Sequence, residues 1–222
     1  MRAVKYQADA PLTKPDEVAA LIRNQITLGA LGPGVLLTQD QLSGRFGAGR
    51  PALREALSQL ANEGIVTHHP NRGFFVSDIS TGEARQLFRL IDIADLELLP
   101  SVQWPDWPRL ERLAACAQSL RQAAEGAPLI QLFQIERDFE SRLADISEQD
   151  VIVREAERWR NLAERYLSLI ATRALANALA LAKSETVAAL RMRNREALID
   201  SRSNRRRELS AMVLDALRDR GW

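Results

Sequence analysis

Residues 18–76 restrict this chain more than any other stretch, because they run helix, turn, helix and then a short hairpin. The centre is Gly49-Arg50-Pro51-Ala52-Leu53-Arg54-Glu55-Ala56-Leu57, which opens an amphipathic helix with Leu53, Ala56, Leu57, Leu60 and Ala61 on one face. Arg50, Arg54 and Ser58 recur at i, i+4 and i+8 on the other face. A shorter helix, Thr38 to Phe46, precedes it. Thr38 and Gln41 there form a capping-box pattern, and Leu42 and Phe46 face inward. Gly64 ends the later helix, and Ile65-Val66 and Phe74-Phe75-Val76 supply two strands around a Pro70-Asn71-Arg72-Gly73 tip. This order predicts a winged helix-turn-helix, a shape that lays its second helix in the major groove of DNA.

Two arginines opening that helix suit this use. Each guanidinium offers a planar fork of donors matching the two major-groove acceptors of guanine. The alternative is that Arg50 and Arg54 are solvated and pair with Glu55 or Glu63. Thr38, Ser43 and Arg45 are expected at phosphates, which position a protein without reading sequence. Arg72, with flexible Gly73 beside it, is expected in the minor groove or at the adjoining backbone. His68 and His69 are the only histidines in the chain. Neighbours on a strand point to opposite faces, so the pair is not a metal site, and His68 is expected near phosphate.

A first helix is expected from near Pro15, with Asp16 and Glu17 in its first turn and Gly29 as its stop. Its apolar positions are Val18, Leu21, Ile22, Ile26 and Leu28. Beyond Val76 the pattern is wholly helical, with Ser80 and Glu83 as a second capping box. The expected spans are 81–99, 106–125, 129–147, 151–174, 183–202 and 204–220, with breaks at Pro100, Pro105, Pro108, Gly126 and Pro128. The expected fold class is therefore mainly α, an N-terminal winged helix-turn-helix followed by an all-α helical bundle. The expected domains are a flexible arm over 1–14, the DNA-binding head over 15–77, a linker over 78–82 and the bundle over 83–222.

Composition adds exclusions. Hydrophobic residues at 46% and charged residues at 27% suit a globular protein, and a net charge of +1 gives no bulk pull toward nucleic acid. Cys116 has no partner cysteine and reads as a small buried hydrophobe. No apolar run reaches the roughly 20 residues of a membrane span, and the first residues lack the apolar core of a secretion signal. A reduced, soluble, cytoplasmic protein without membrane contact is expected.

The series Leu21-Ile22, Ile26, Gly29, Leu31, Pro33-Gly34, Leu36, Leu42, Phe46-Gly47, Arg50, Leu53-Arg54-Glu55-Ala56-Leu57, Leu60, Glu63-Gly64, Arg72-Gly73 and Phe75-Val76 resembles the winged-helix head of GntR-family transcriptional regulators. The all-helical remainder resembles the FadR branch, whose effector domain is called FCD. This resemblance implies a homodimer, a repressor, binding a palindromic double-stranded operator and sensing a small molecule such as an organic acid. Two positions depart from the family. Gly49 stands where a serine is common, so it caps the helix without offering a hydroxyl. Asp40 stands where many members carry arginine, which implies fewer or rearranged operator contacts.

Many FCD members hold a divalent metal with an Asp-x-x-x-His pair and two later histidines. Here the matching stretch is Glu136-Arg137-Asp138-Phe139-Glu140, and the later positions fall near Lys183 and Arg205. With no histidine past residue 69, a three-histidine metal site is impossible, and no cofactor is expected. Leu132, Ile135, Phe139 and Leu143 mark a buried stripe along which Glu136 and Glu140 lie. Carboxylates placed there stay charged only if a cation answers them. The expected effector pocket is Glu136, Glu140, Lys183 and Arg205, with Lys183 and Arg205 or neighbouring arginines pairing with the glutamates. The alternatives are a hard cation on Glu136, Glu140 and Asp138, or two solvated side chains.

Nine arginines between Arg191 and Arg220 stand among five acids, an excess of four that reads as a salt-bridged outer face rather than a second nucleic-acid surface. Trp104, Trp107 and Trp159 are expected between helices or at a subunit contact. A non-enzymatic regulator is the leading reading. The rivals are a body that only dimerises, or an enzyme or interaction protein using the head for protein contacts.

Overall fold

A computed structural model describes residues 14–170 and 172–222, so the expected arm lies outside the described residues except for Lys14. The chain divides into a head, built on residues 14–26 and 30–77, and a body built mainly on 78–222. In the head, α1 spans Lys14–Thr27, β1 Leu36–Leu37, α2 Gln39–Phe46, α3 Arg50–Glu63, β2 Val66–His69 and β3 Gly73–Val76.

Local chemistry sets these boundaries. Thr38 Oγ1 accepts from the Gln41 amide at 3.3 Å and caps α2. Gly47 then stops α2 at φ 66°, and Gly64 stops α3 at φ 83°, both left-handed positions that glycine adopts without a Cβ penalty. Leu53, Ala56, Leu57 and Leu60 form the fully buried stripe of α3, and Ile22 of α1 and Leu42 of α2 are buried as well. Leu21 and Leu28, expected inside, are instead exposed, and Leu28 lies beyond the end of α1.

The wing has three strands rather than the expected two. β3 pairs antiparallel with β2 (Val66 with Val76, His68 with Phe74) and with β1 (Leu36 with Phe75), giving the order β1-β3-β2. A two-residue strand is too short to show alternation, so β1 left no periodic signal. Both histidines are exposed, and each ring lies against a different phenylalanine: His68 on Phe74 at 4.6 Å and His69 on Phe75 at 5.3 Å.

Among the described residues the body is six α-helices: α4 Thr81–Ser101, α5 Trp107–Ala123, α6 Leu129–Ala144, α7 Asp150–Leu167 with a 3-10 turn over Ser168–Ile170, α8 Arg173–Arg191 and α9 Arg195–Asp219. α4 packs on α7 and α9, α5 on α6 and α8, and α8 on α9. Phe133, Tyr166, Leu120 and Leu175 fill one part of the core, and Leu113, Phe139, Leu190 and Leu198 another.

The last three helices differ from the sequence expectation. α8 begins at Thr172, whose hydroxyl accepts from the Leu175 amide, and ends where Arg193 turns left-handed at φ 51° and Asn194 caps α9. The expected gap at 175–182 falls inside α8 and the expected break at 203 inside α9, and no proline or glycine marks the two junctions where the caps divide the helices. Pro100 lies inside the last turn of α4, and Pro108 opens α5 behind the Asp106 cap instead of breaking a helix. Ser80 caps α4 through the Glu83 amide, but the Glu83 carboxylate bonds Arg165 and Tyr166, so the reciprocal half of that capping box is redirected.

Leu57 is fully buried in the head. Leu57→Ala is expected to cost about 2–5 kcal/mol, the range for truncating a packed leucine. Urea unfolding followed by circular dichroism would read the loss, and a loss below about 1 kcal/mol would contradict this packing.

Candidate nucleic-acid interface and buried ionic site

The start of α3 presents Arg50, Arg54 and Ser58 to solvent, with Gln39, Pro51 and Glu55 around them. Gly49 takes the cap position in extended geometry (φ −69°, ψ 152°) without a side-chain bond. Arg50 Nη2 donates to Asp40 Oδ1 at 3.0 Å, although both side chains are largely exposed. Glu63 is occupied elsewhere, because Arg23 of α1 clasps it through Nε at 3.2 Å and Nη2 at 2.6 Å. Glu63 therefore pairs with neither Arg50 nor Arg54.

The remaining expected DNA contacts differ in what they can donate. A hydroxyl has one proton, and phosphate only accepts. Ser43 Oγ already donates to the Ala48 carbonyl at 2.9 Å, and Ser58 Oγ to the Arg54 carbonyl at 2.9 Å, so both hydroxyls are engaged within the fold. Thr38 accepts from Gln41 and keeps its own proton for an outside acceptor. Arg45 is exposed and donates to Gln25 Oε1, with its guanidinium 5.9 Å from the Phe46 ring. At the wing tip Arg72 lies 5.6 Å from the Phe75 ring, and Asn71 (φ 61°) and Gly73 (φ 97°) make the reversal.

The body holds a buried cluster of opposite character. Glu140 of α6 is answered from three helices. Arg202 of α9 binds it bidentately at 2.8 and 3.0 Å, Lys183 of α8 reaches its Oε1, and Arg160 of α7 approaches to 3.5 Å. Lys183 Nζ also donates to Glu136 Oε1 at 2.8 Å, so one ammonium bridges both glutamates. Asp95 of α4 completes the cluster, receiving Arg202 Nε at 3.1 Å and hydrogen bonds from Arg160 and Arg206.

Burial alone would raise the pKa of Asp95, but Arg202, Arg206 and Arg160 more than offset it and hold the carboxylate well below its usual range. Glu140 behaves alike, its burial overcome by Arg202, Lys183 and Arg160. Arg206 shifts the other way. Its burial outweighs the help from Asp95, and its Nε faces Asp92 Oδ1 at 3.7 Å with no hydrogen bond on either atom.

The four side chains of the expected effector pocket line one cavity of about 80 Å³, together with Arg160, Arg202 and Arg206. Arg205 does not pair with the glutamates of α6. It binds Glu185 at 2.6 and 2.9 Å and Glu208 at 2.7 Å, while Arg202, one turn earlier on α9, takes the expected role. Asp138 points away, accepting from Cys116 Sγ at 3.0 Å and Arg142 Nε at 2.9 Å, so it cannot join Glu136 and Glu140 around a cation. A divalent metal does not fit between those glutamates, because the Lys183 ammonium lies against both. Among the described residues no group of three or more metal-ligating side chains is assembled.

Cys116 is half-buried rather than buried, and burial with the Asp138 contact pushes its thiol up to about 11. Trp159 packs in the core and Trp104 stacks 4.2 Å from the Arg195 guanidinium, whereas Trp107 is exposed.

Asp95, Arg160, Arg202 and Arg206 were not singled out from the sequence. Asp95 had a legible signal, since it falls on the stripe Ala84, Leu87, Phe88, Ile91, Leu98 that α4 buries. Arg202 had no such signal, because the buried apolar positions of α9, Leu198, Val213 and Leu217, are too far apart to set Arg202 above Arg205.

The head is a winged helix-turn-helix DNA-binding domain. Residues 14–76 match the family described as bacterial regulatory proteins, gntR family, which makes this head GntR-type. The repressor RspR of Escherichia coli K12 is 32% identical over 69 residues, covering 31% of this chain and 30% of the relative. An HTH-type transcriptional regulator in an unstable DNA locus of Streptomyces ambofaciens is 29% identical over 92 residues, covering 40% of this chain. The chain spans only 39% of the length of that relative. Among solved structures, Escherichia coli McbR/YncC superposes with TM-score 0.73 at 20% identity, over 92% of this chain and 99% of the other. A putative transcriptional regulator GntR from Rhodococcus sp. RHA1 does so with TM-score 0.74 at 20% identity, again over 92% and 99%. At such identity the likeness shows a shared fold.

Glu140→Gln should destabilise the body by about 3–5 kcal/mol, because it leaves buried cations without their counter-charge. The depressed carboxylates also predict a pH dependence. Their contribution is fully present above the unfolded values of 3.8 and 4.5 and is lost progressively as pH falls below them. Thermal melts between pH 7 and pH 3 should therefore fall more steeply for the native chain than for Glu140→Gln. Parallel curves would refute this account of the cluster.

Proposed function

We propose that the chain is a transcriptional repressor that binds a palindromic operator as a homodimer and senses a small metabolite through its helical body, without a histidine-bound metal. The observation that carries the DNA-reading part is the pair of exposed guanidinium groups, Arg50 and Arg54, at the start of α3 beside the wing. Thr38, Arg45, Gly49, Arg72 and Gly73 accompany them, with His68 on the wing. Ser43 and Ser58 support the interface by bracing the turn and the helix.

A two-fold operator requires two heads. Leu90, Ile93 and Leu96 form an exposed apolar stripe on α4, which supports a second copy covering that face. The all-helical body supports the FadR-branch reading, and its cavity supports the sensing role. Its walls carry Arg160, Lys183, Arg202, Arg205 and Arg206 against Glu136, Glu140 and Glu164, a cation excess suited to an organic acid. The closure of the inner ion pairs favours a second reading, in which the body only dimerises.

Arg50→Ala and Arg54→Ala should each weaken binding to a selected duplex by about 1–3 kcal/mol while leaving the melting temperature unchanged. Mobility shifts at fixed salt measure this, and wild-type binding by both variants would sink the DNA reading. Screening small carboxylates by thermal melting tests the body. A ligand at a hundred times its Kd should stabilise by about 2.7 kcal/mol, and Arg206→Met should abolish the shift. No shift with any carboxylate would leave dimerisation as the role of the body.

A further inference from the structure

We propose that Asp40 is a positioning residue for base reading by Arg50, setting specificity at the expense of general affinity for DNA; this rests on the DNA-reading role of α3. Asp40 lies in the first turn of α2 and Arg50 opens α3, so their bond crosses the turn of the helix-turn-helix. Arg50 Nη2 meets Asp40 Oδ1 at 3.0 Å, with the side chains 73% and 81% exposed.

Those exposures matter because nothing in the fold requires the contact. An arginine at this position has several rotatable bonds, and free in water it samples many orientations. The carboxylate selects one of them. A guanidinium carries five N–H groups, and a single bond through one Nη2 proton leaves the other with a neighbouring N–H as an intact fork. That fork is what guanine O6 and N7 accept.

Asp40 also brings a negative charge to a face that must approach phosphate. It opposes binding to any duplex, whatever its sequence, because phosphate attraction dominates non-specific affinity. A carboxylate in this place therefore lowers the background while organising the reader.

The test selects duplexes from a random-sequence pool with the full native chain, then measures binding of the enriched sequence and of a scrambled duplex at one salt concentration. Variants are Asp40→Ala, Asp40→Asn, Arg50→Ala and the double variant Asp40→Ala/Arg50→Ala. Asp40→Ala should bind the scrambled duplex more tightly. Its ratio of specific to scrambled affinity should fall by up to about fivefold, the upper end for an exposed ion pair. The fall should concentrate at the one base pair whose substitution is silent in Arg50→Ala, and it should vanish in the Arg50→Ala background. Asp40→Asn, which keeps an acceptor oxygen, should retain part of the ratio.

An unchanged ratio would reduce Asp40 to charge repulsion and overturn the proposal. A raised ratio would do the same, since Asp40 would then compete with the base for Arg50. A fall that persists without Arg50 would overturn it by placing Asp40 itself on the DNA. Failure of the native chain to enrich any sequence would instead remove the DNA-reading role, and the proposal with it.

Discussion

The body depends on a requirement that two carboxylates, Glu140 and Asp95, be charged where water does not reach them. Each ion taken from water costs several kcal/mol even after relaxation, so the cluster forms only if its partners converge from the correct directions. Those partners come from α7, α8 and α9, while the acids come from α4 and α6. Five helices are thereby held to one register. A hydrophobic core of leucines tolerates sliding by a fraction of a turn, whereas a bidentate Arg202–Glu140 pair does not. The apolar clusters around it supply the bulk of the stabilisation, and the ions fix which packing is adopted.

The head solves a different problem with the same residue types. Its charged groups remain near water, where pairs are weak and screened, so they can be exchanged for contacts to a partner. The exception is the clasp of Arg23 on Glu63, which joins α1 to the end of α3 and is half-buried. This clasp leaves Glu63 with no part in the pairing of Arg50, which Asp40 takes. Ser43 and Ser58 add local rigidity by closing hydrogen bonds to nearby carbonyls. The result is a stiff helix start that carries two long exposed cationic side chains, one of them held by Asp40.

Much of this was legible in the sequence because the signals were local. Gly47, Gly64 and the Thr38 and Ser80 caps mark helix ends by backbone chemistry that needs no tertiary context. The glutamates of α6 were legible as acids on an apolar stripe, and Lys183 as a cation at the corresponding point of a later helix. The choice between Arg202 and Arg205 was not legible. Residues 202 and 205–207 put arginines nearly all round α9, and Leu198, Val213 and Leu217 are its fully buried apolar positions, too widely spaced to orient it. The junction at Met192-Arg193-Asn194 failed for a related reason, since Arg193 adopts a left-handed backbone that arginine seldom takes. β1 exists only because β3 offers it an edge.

Lys183 also changes what kind of chemistry the cavity can offer. A divalent metal brings two charges and coordination positions that an entering carboxylate can fill directly. A tethered ammonium brings one charge and three donors, two of them directed at Glu136 and Glu140. It cannot be removed by a chelator, and it has no vacant coordination position. An anion entering this cavity must therefore be held by hydrogen-bond donors not consumed by the cluster. Arg206 is the side chain whose situation comes nearest to that need, being buried, bonded to Asp95 through Nη2 and left with an Nε that makes no hydrogen bond although Asp92 Oδ1 lies 3.7 Å away. Binding there would relieve a desolvation cost already present in the fold, which is a stronger source of selectivity for charge than an exposed arginine could provide.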